Sequence, residues 1–167
     1  PPSIAPTQVV IVPFFRNDEE INKIKQYINP YLKELESKGI RILLDDREKI
    51  SPGFKFNEWE LKGVPIRIEI GAKEIESNEL TIFRRDINQK EKTSINTLTS
   101  YIQDMLDQIQ QNLLKQADEF RKENTFIVES YEEFKRVINE GGFVRCGWDG
   151  TEITEKQIKD ETKATIR

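Results

Sequence analysis

The feature that most constrains this chain is the run Val9-Val10-Ile11-Val12, which lies between Pro6 and Pro13. Successive β-branched residues favour an extended backbone, and a run with no polar member suits a strand buried on both faces. Strand and helix patterns then alternate. Ile21, Ile24, Ile28, Tyr31, Leu32 and Leu35 recur at three- and four-residue intervals behind Asn17-Asp18-Glu19-Glu20. A capping residue followed by acids marks the positive end of a helix dipole, so a helix is expected as far as Lys38, with Gly39 as its stop. Pro30 inside the pattern predicts a kink or a division into two shorter helices.

Ile40 to Leu44 reads as a second strand, with Asp45-Asp46-Arg47-Glu48 as a charged loop at its carboxyl end. Ser51-Pro52-Gly53 opens another helix, because Ser caps and Pro loses nothing at the first turn; Gly63 closes it. From Val64 to Ile70 the residues alternate, placing Ile66, Ile68 and Ile70 on one face and Arg67 and Glu69 on a polar face. Ser77-Asn78 turns into a fourth strand at Leu80 to Arg84, and Lys92 to Asn96 is expected as a fifth, edge strand. Leu98, Ile102, Met105, Leu106, Ile109, Leu113, Ala117 and Phe120 mark a long amphipathic helix ending near Lys122 and covering one sheet face.

This order predicts an α/β fold: a three-layer α/β/α domain around a mixed five-stranded sheet, with right-handed crossovers, over residues 8–124. Residues 1–7 read as a linker. Residues 125–167 read as a small α+β unit. In it Thr125 to Val128 lead into a helix with Ser130 and Glu133 in capping-box spacing, ended by Gly141-Gly142. A strand at 143–148, a helix at 154–162 and the start of a strand at 164–167 follow.

Composition narrows the chemistry. The chain has 167 residues, no histidine and one cysteine. Serine–histidine and cysteine–histidine catalysis, imidazole acid–base chemistry and histidine-bound metals are therefore unavailable from it. A single cysteine makes neither an internal disulfide nor a thiolate cage, which favours a reducing, cytoplasmic setting. No apolar stretch approaches the length of a membrane span. The only methionine is Met105, and the chain opens on Pro1-Pro2-Ser3-Ile4-Ala5-Pro6, as expected of a piece of a longer protein. With a net charge of −4, any RNA contact rests on placed residues such as Arg67, Lys73, Arg84 and Arg85 rather than on a general positive field.

Candidate chemistry lies between Leu44 and Arg85. Asp45, Asp46 and Glu48 could hold a hard cation or work as a carboxylate pair, against an ordinary loop neutralised by Arg47. The helix start at Ser51 could hold a phosphate, although no Gly-rich loop precedes it, which favours plain capping. Phe54, Phe56 and Trp59 could stack on unpaired bases, with core filling the simpler role for at least two of them. Glu60, Arg67, Lys73 and Glu74 could read guanine at a sheet edge. A carboxylate accepts from its N1–H and N2–H, while Arg or Lys donates to O6 or N7. Four charged residues could equally form a solvated face.

The stretch from Asp45-Asp46-Arg47-Glu48 through Ser51-Pro52-Gly53-Phe54-Lys55-Phe56-Asn57-Glu58-Trp59-Glu60 to Val64-Pro65-Ile66-Arg67-Ile68-Glu69-Ile70-Gly71 closely resembles the anticodon-binding domain of prolyl-tRNA synthetases. Arg84-Arg85-Asp86 fits as well, and Pro1 to Pro6 resembles the junction with that family's catalytic domain. Lys159-Asp160-Glu161-Thr162-Lys163-Ala164-Thr165-Ile166-Arg167 is similar to the extra C-terminal domain of the archaeal and eukaryotic type. The resemblance implies an anticodon reader for proline tRNA, whose anticodons carry guanine at the second and third positions. It implies base-reading roles for Glu60, Arg67, Lys73 and Glu74, with a basic residue at Lys90. ATP and magnesium would belong to a catalytic domain outside this chain, and the parent enzyme would be a homodimer, this piece a monomer. Many family members hold zinc with four C-terminal cysteines; with Cys146 alone, zinc is not expected here. The competing readings are a domain of the same fold repurposed to bind protein, and a small nucleotide enzyme, which the missing histidine and phosphate loop disfavour.

Overall fold

In the computed structural model, which describes residues 1–166, the apolar run forms β1 (Val9–Pro13), with all five residues buried. It pairs in parallel with β2 (Ile42–Leu44) on one side and β3 (Ile66–Ile70) on the other, Val9 standing opposite both Ile42 and Ile66. β4 (Glu79–Arg84) and β5 (Gln89–Ser94) continue the sheet antiparallel, giving the order β2-β1-β3-β4-β5. α1 (Asp18–Ser37) and α4 (Leu98–Glu123) cover one face. There Ile24, Ile28 and Leu35 of α1 and Ile102, Met105 and Ile109 of α4 pack on Val9, Ile11, Ile66, Ile68, Leu80 and Ile82. α2 (Pro52–Leu61) covers the other face, where Trp59 and Phe56 meet Val10 and Val12. The expected three-layer α/β/α arrangement with a mixed five-stranded sheet is therefore present.

Four local expectations change. α1 is one continuous helix through Pro30; Pro30 and Gln26, whose carbonyl loses its usual donor there, both lie on the exposed side of the helix. β5 begins at Gln89 and ends at Ser94, three residues ahead of its expected start. A further helix, α3 (Ala72–Ser77), fills the link between β3 and β4 and ends on Asn78 at φ 53°, a left-handed cap. Most consequentially, β3 has no solvated polar face: Arg67 and Glu69 are buried, like the isoleucines that alternate with them.

The charged loop after β2 proves to be an anchor for α2. Asp45 is buried and receives Nε and Nη2 of Arg47 at 2.7 Å each, together with the Trp59 indole N–H at 2.8 Å. The buried Lys55 ammonium lies 3.7 Å from the Asp45 carboxylate and donates to the Asp45 carbonyl at 2.9 Å. Ser51 caps the helix by accepting from the Phe54 N–H, so the loop and the helix start have structural roles. Of the three aromatics, Phe56 and Trp59 pack inward and Phe54 is exposed.

The segment expected as a linker is pinned. Pro2 is buried, Arg41 donates through Nε to the Ala5 carbonyl at 2.8 Å and through Nη2 to those of Pro2 and Ser3, and Gln8 also donates to Pro2.

Contacts divide the chain into two units, Pro1–Leu114 and Lys115–Arg167. The division falls within α4, ahead of the expected 124/125 boundary. In the second unit, β6 (Thr125–Ile127) pairs in parallel with β7 (Phe143–Arg145), connected through α5 (Tyr131–Asn139). Gly142 is required there, because a Cβ would lie 2.8 Å from the Val137 side chain. α6 (Glu152–Thr162) follows. The strand expected at 143–148 stops at Arg145, and residues 164–166 form no strand; Arg167 lies outside the described residues.

Burial by itself would raise the Asp45 pKa, but the hydrogen bonds from Arg47 and Trp59 and the charge of Lys55 outweigh it and hold the carboxyl at about 2. Because the folded value is below the ordinary 3.8, this stabilisation is complete above about pH 4 and is lost as pH falls through about 2. Asp45→Asn should cost about 2 kcal/mol at pH 7. In urea melts the gap to the parent chain should narrow between pH 4 and 2; a gap independent of pH would contradict the anchor.

Candidate nucleic-acid interface

The buried polar residues of β3 are the centre of the site. Arg67 and Glu69 share the sheet face opposite α1 and α4, with Phe83 of β4 opposite Arg67 and Lys90 of β5 opposite Phe83. α2 brings Phe56 and Glu60 over the same region. The Arg67 guanidinium, with only 5% of the residue exposed, lies 3.8 Å from the Phe56 ring centroid and 4.2 Å from that of Phe83. Two aromatic rings this close to the guanidinium offer cation–π contact and restrict its movement.

Its edge is fixed as well. Nη1 donates to Glu60 Oε1 at 2.7 Å, while Nε and Nη2 share Glu69 Oε1 at 3.2 and 3.1 Å. Lys90 donates to the other Glu69 oxygen at 2.8 Å. Two cations thus balance two carboxylates. The positions differ in access, however: Glu69 is buried, whereas the Glu60 side chain is 42% exposed and the Lys90 side chain 50%. Glu60 Oε2 has no protein partner among the described residues, so the network ends in a half-satisfied carboxylate at the surface.

Glu60, Arg67 and Lys90 are therefore brought together from α2, the central strand β3 and the edge strand β5. Lys73 and Glu74 stand apart in the first turn of α3, just past the carboxyl end of β3, and no hydrogen bond or ion pair joins them to the other three. Glu74 accepts from the Gly71 N–H at 2.9 Å and Lys73 is exposed. Contact continues toward them through apolar groups: Phe14 packs edge-on to Phe56 at 6.1 Å and lies beside Gly71.

Glu69, Phe56 and Phe83 complete the cluster without having been singled out for it. The sequence signal for Glu69 is the alternation Ile66-Arg67-Ile68-Glu69-Ile70, whose opposite charges two residues apart share a face; Phe56 and Phe83 carry no such signal. Asp45, Asp46 and Glu48 do not act as a carboxylate pair. Asp45 is consumed by its anchors and Asp46 pairs with Lys25. Among the described residues no group of three or more potential metal ligands assembles.

A face of paired carboxylates and cations, aromatic-lined and ending in an exposed acceptor, matches the chemistry of an unpaired purine edge. Among known families, the model described as "Anticodon binding domain" matches residues 8–105. This chain belongs to the anticodon binding domain family. As an anticodon binding domain it is followed by a second match, at residues 131–167, to the model described as "Prolyl-tRNA synthetase, C-terminal". Similar proteins include the proline–tRNA ligase of Porphyromonas gingivalis, 46% identical over the whole chain and 34% of that protein. That of Rubrobacter xylanophilus is 47% identical over the whole chain and 35% of the protein, and that of Bacteroides fragilis 44% over the whole chain and 34%. The chain spans about a third of the length of these relatives. No helix among the described residues is long and apolar enough to cross a membrane.

The energetics of the cluster are testable without RNA. Arg67→Ala leaves a buried carboxylate short of its main partner and should destabilise the chain by about 3–5 kcal/mol. Glu60→Gln, at a half-exposed position, should change stability by no more than about 1 kcal/mol. Equal effects in urea unfolding would contradict the assignment of Arg67 as the organising group.

Proposed function

We propose that this chain is the tRNA-reading part of a cytoplasmic, homodimeric proline–tRNA ligase, and that it recognises the guanines at the second and third anticodon positions of proline tRNA. ATP-dependent attachment of proline, with ATP and magnesium, is assigned to the rest of the longer protein. The observation that carries the reading is the Glu60 carboxylate, held by Arg67 through one oxygen and open to solvent through the other.

A guanine presented edge-on offers N1–H and N2–H to that acceptor, and no other base offers the same pair of donors. Lys90, half-exposed beside Phe56, supplies a donor for O6 or N7 of a guanine. Lys73 and Glu74 at the start of α3 form a second acid–base pair for the second guanine. Unpaired anticodon bases suit such a surface because their hydrogen-bonding edges are free of Watson–Crick partners. Relatives that cover the whole chain and carry the name proline–tRNA ligase support the choice of tRNA. No specific observation favours a protein partner.

Titration of a proline-tRNA anticodon stem-loop should show binding that weakens at least tenfold when both guanines are replaced by adenine. Glu60→Gln should remove most of that preference while leaving the melting midpoint near that of the parent chain. Affinity indifferent to the guanines would contradict the reading.

A further inference from the structure

Arg84 and Arg85 are neighbours in sequence and opposites in the structure. Arg84 is bound on both sides of its guanidinium: Nε and Nη2 donate to Asp86 at 3.2 and 2.9 Å, and Nη1 donates to Gln108 at 3.2 Å. Asp86 is held further by Asn112 at 2.7 Å. Arg85, one residue on, extends to the other side of the sheet and is exposed. Its side chain makes no hydrogen bond or ion pair among the described residues.

Arg85 borders a groove of about 530 Å³ lined also by Asn57, Glu60, Leu61, Phe83 and Asn88. Asn57, Glu60 and Leu61 lie three and four residues apart and share one side of α2. Phe83 and Arg85 lie two apart at the end of β4 and share one face. Asn88, at φ 53°, ends the turn into β5 and brings its amide to the mouth. Leu61 is 89% exposed at the end of α2, and the side-chain amides of Asn57 and Asn88 have no partner among the described residues. The volume falls within the roughly 300–1,000 Å³ of sites that enclose small ligands.

Resting on the guanine reading, we infer that this groove binds the unpaired nucleotide flanking the read guanines, its base against Leu61 and Phe83 and its phosphate on Arg85. Three observations lead there. The groove shares Glu60 and Phe83 with the Arg67 cluster, so a strand with one base at Glu60 has its neighbour at the groove. The two amides each offer donors and an acceptor, which suits a base edge and carries no charge preference. The one cation of the lining is uncommitted, as a phosphate contact requires, while its neighbour Arg84 is not. Phosphate contacts position a nucleic acid without reading it, so this site adds affinity and register to the guanine contacts.

Stem-loop titrations over a range of salt test the inference. Arg85→Ala should weaken binding about fivefold for the guanine loop and for the adenine-substituted loop alike, and should reduce the slope of log affinity against log salt by about 1. Arg85→Lys should keep the slope. An abasic flanking nucleotide should weaken binding to the parent chain about tenfold and to Leu61→Ala about twofold or less, since the base then has less to stack on. A parent chain that prefers guanines, with Arg85→Ala unchanged in affinity and slope or with equal abasic losses in both chains, overturns the groove and leaves the guanine reading standing. A parent chain indifferent to the guanines overturns both.

Discussion

The ion-paired guanidinium of Arg67, clamped between two aromatic rings, is the constraint on which the rest of the interface depends. A buried cation is costly unless its hydrogen bonds are met and its charge is balanced. Here Glu60 and Glu69 accept from three of its nitrogens, and the rings of Phe56 and Phe83 pack against it. Satisfying Arg67 therefore fixes four other side chains from α2, β3 and β4 in one geometry. Glu60 is the outermost of them. Its carboxylate is already oriented by Arg67, so a ligand bound there would cost it little conformational freedom.

That geometry in turn depends on the other side of α2. Asp45, at the carboxyl end of β2, holds Trp59 and Lys55, the sequence neighbours of Glu60 and Phe56. One face of the helix is thus locked by a buried carboxylate, while the adjoining face presents a partly exposed one. The two acids have different tasks: Asp45 stabilises the fold, and Glu60 remains exposed. An acidic chain that reads RNA through such placed groups binds with few phosphate contacts, so its selectivity comes from base edges more than from a positive surface.

Much of this was legible in the sequence, and the failures share a cause. The β-branched run, the apolar spacing of α1 and α4, and the Ser51-Pro52 cap report local preferences that the fold keeps, so their elements form where expected. Arg67 and Glu69 were legible as a pair on one face but not as buried, because alternation says which residues share a side and nothing about what covers it. α2 covers that side, and its Phe56 and Glu60 make burial tolerable. α3 was missed because six residues are too few for an apolar period to show. The contrast between Arg84 and Arg85 was equally hidden: their partners, Asp86 and Gln108 for one and none for the other, are set by the turn into β5 and by α4. Sequence therefore located the candidate residues and structure sorted them into those that organise and those that remain free.

The most direct test of the account is a double-substitution cycle between Glu60 and the N2 amino group of an anticodon guanine. Inosine removes that group alone, and Glu60→Gln replaces its acceptor without changing shape. Replacing one of the two guanines by inosine should weaken stem-loop binding to the parent chain about tenfold and leave binding to Glu60→Gln nearly unaffected, a coupling of about 1–2 kcal/mol. Equal losses in both chains, at each of the two positions, would show that the exposed carboxylate does not meet the guanine edge.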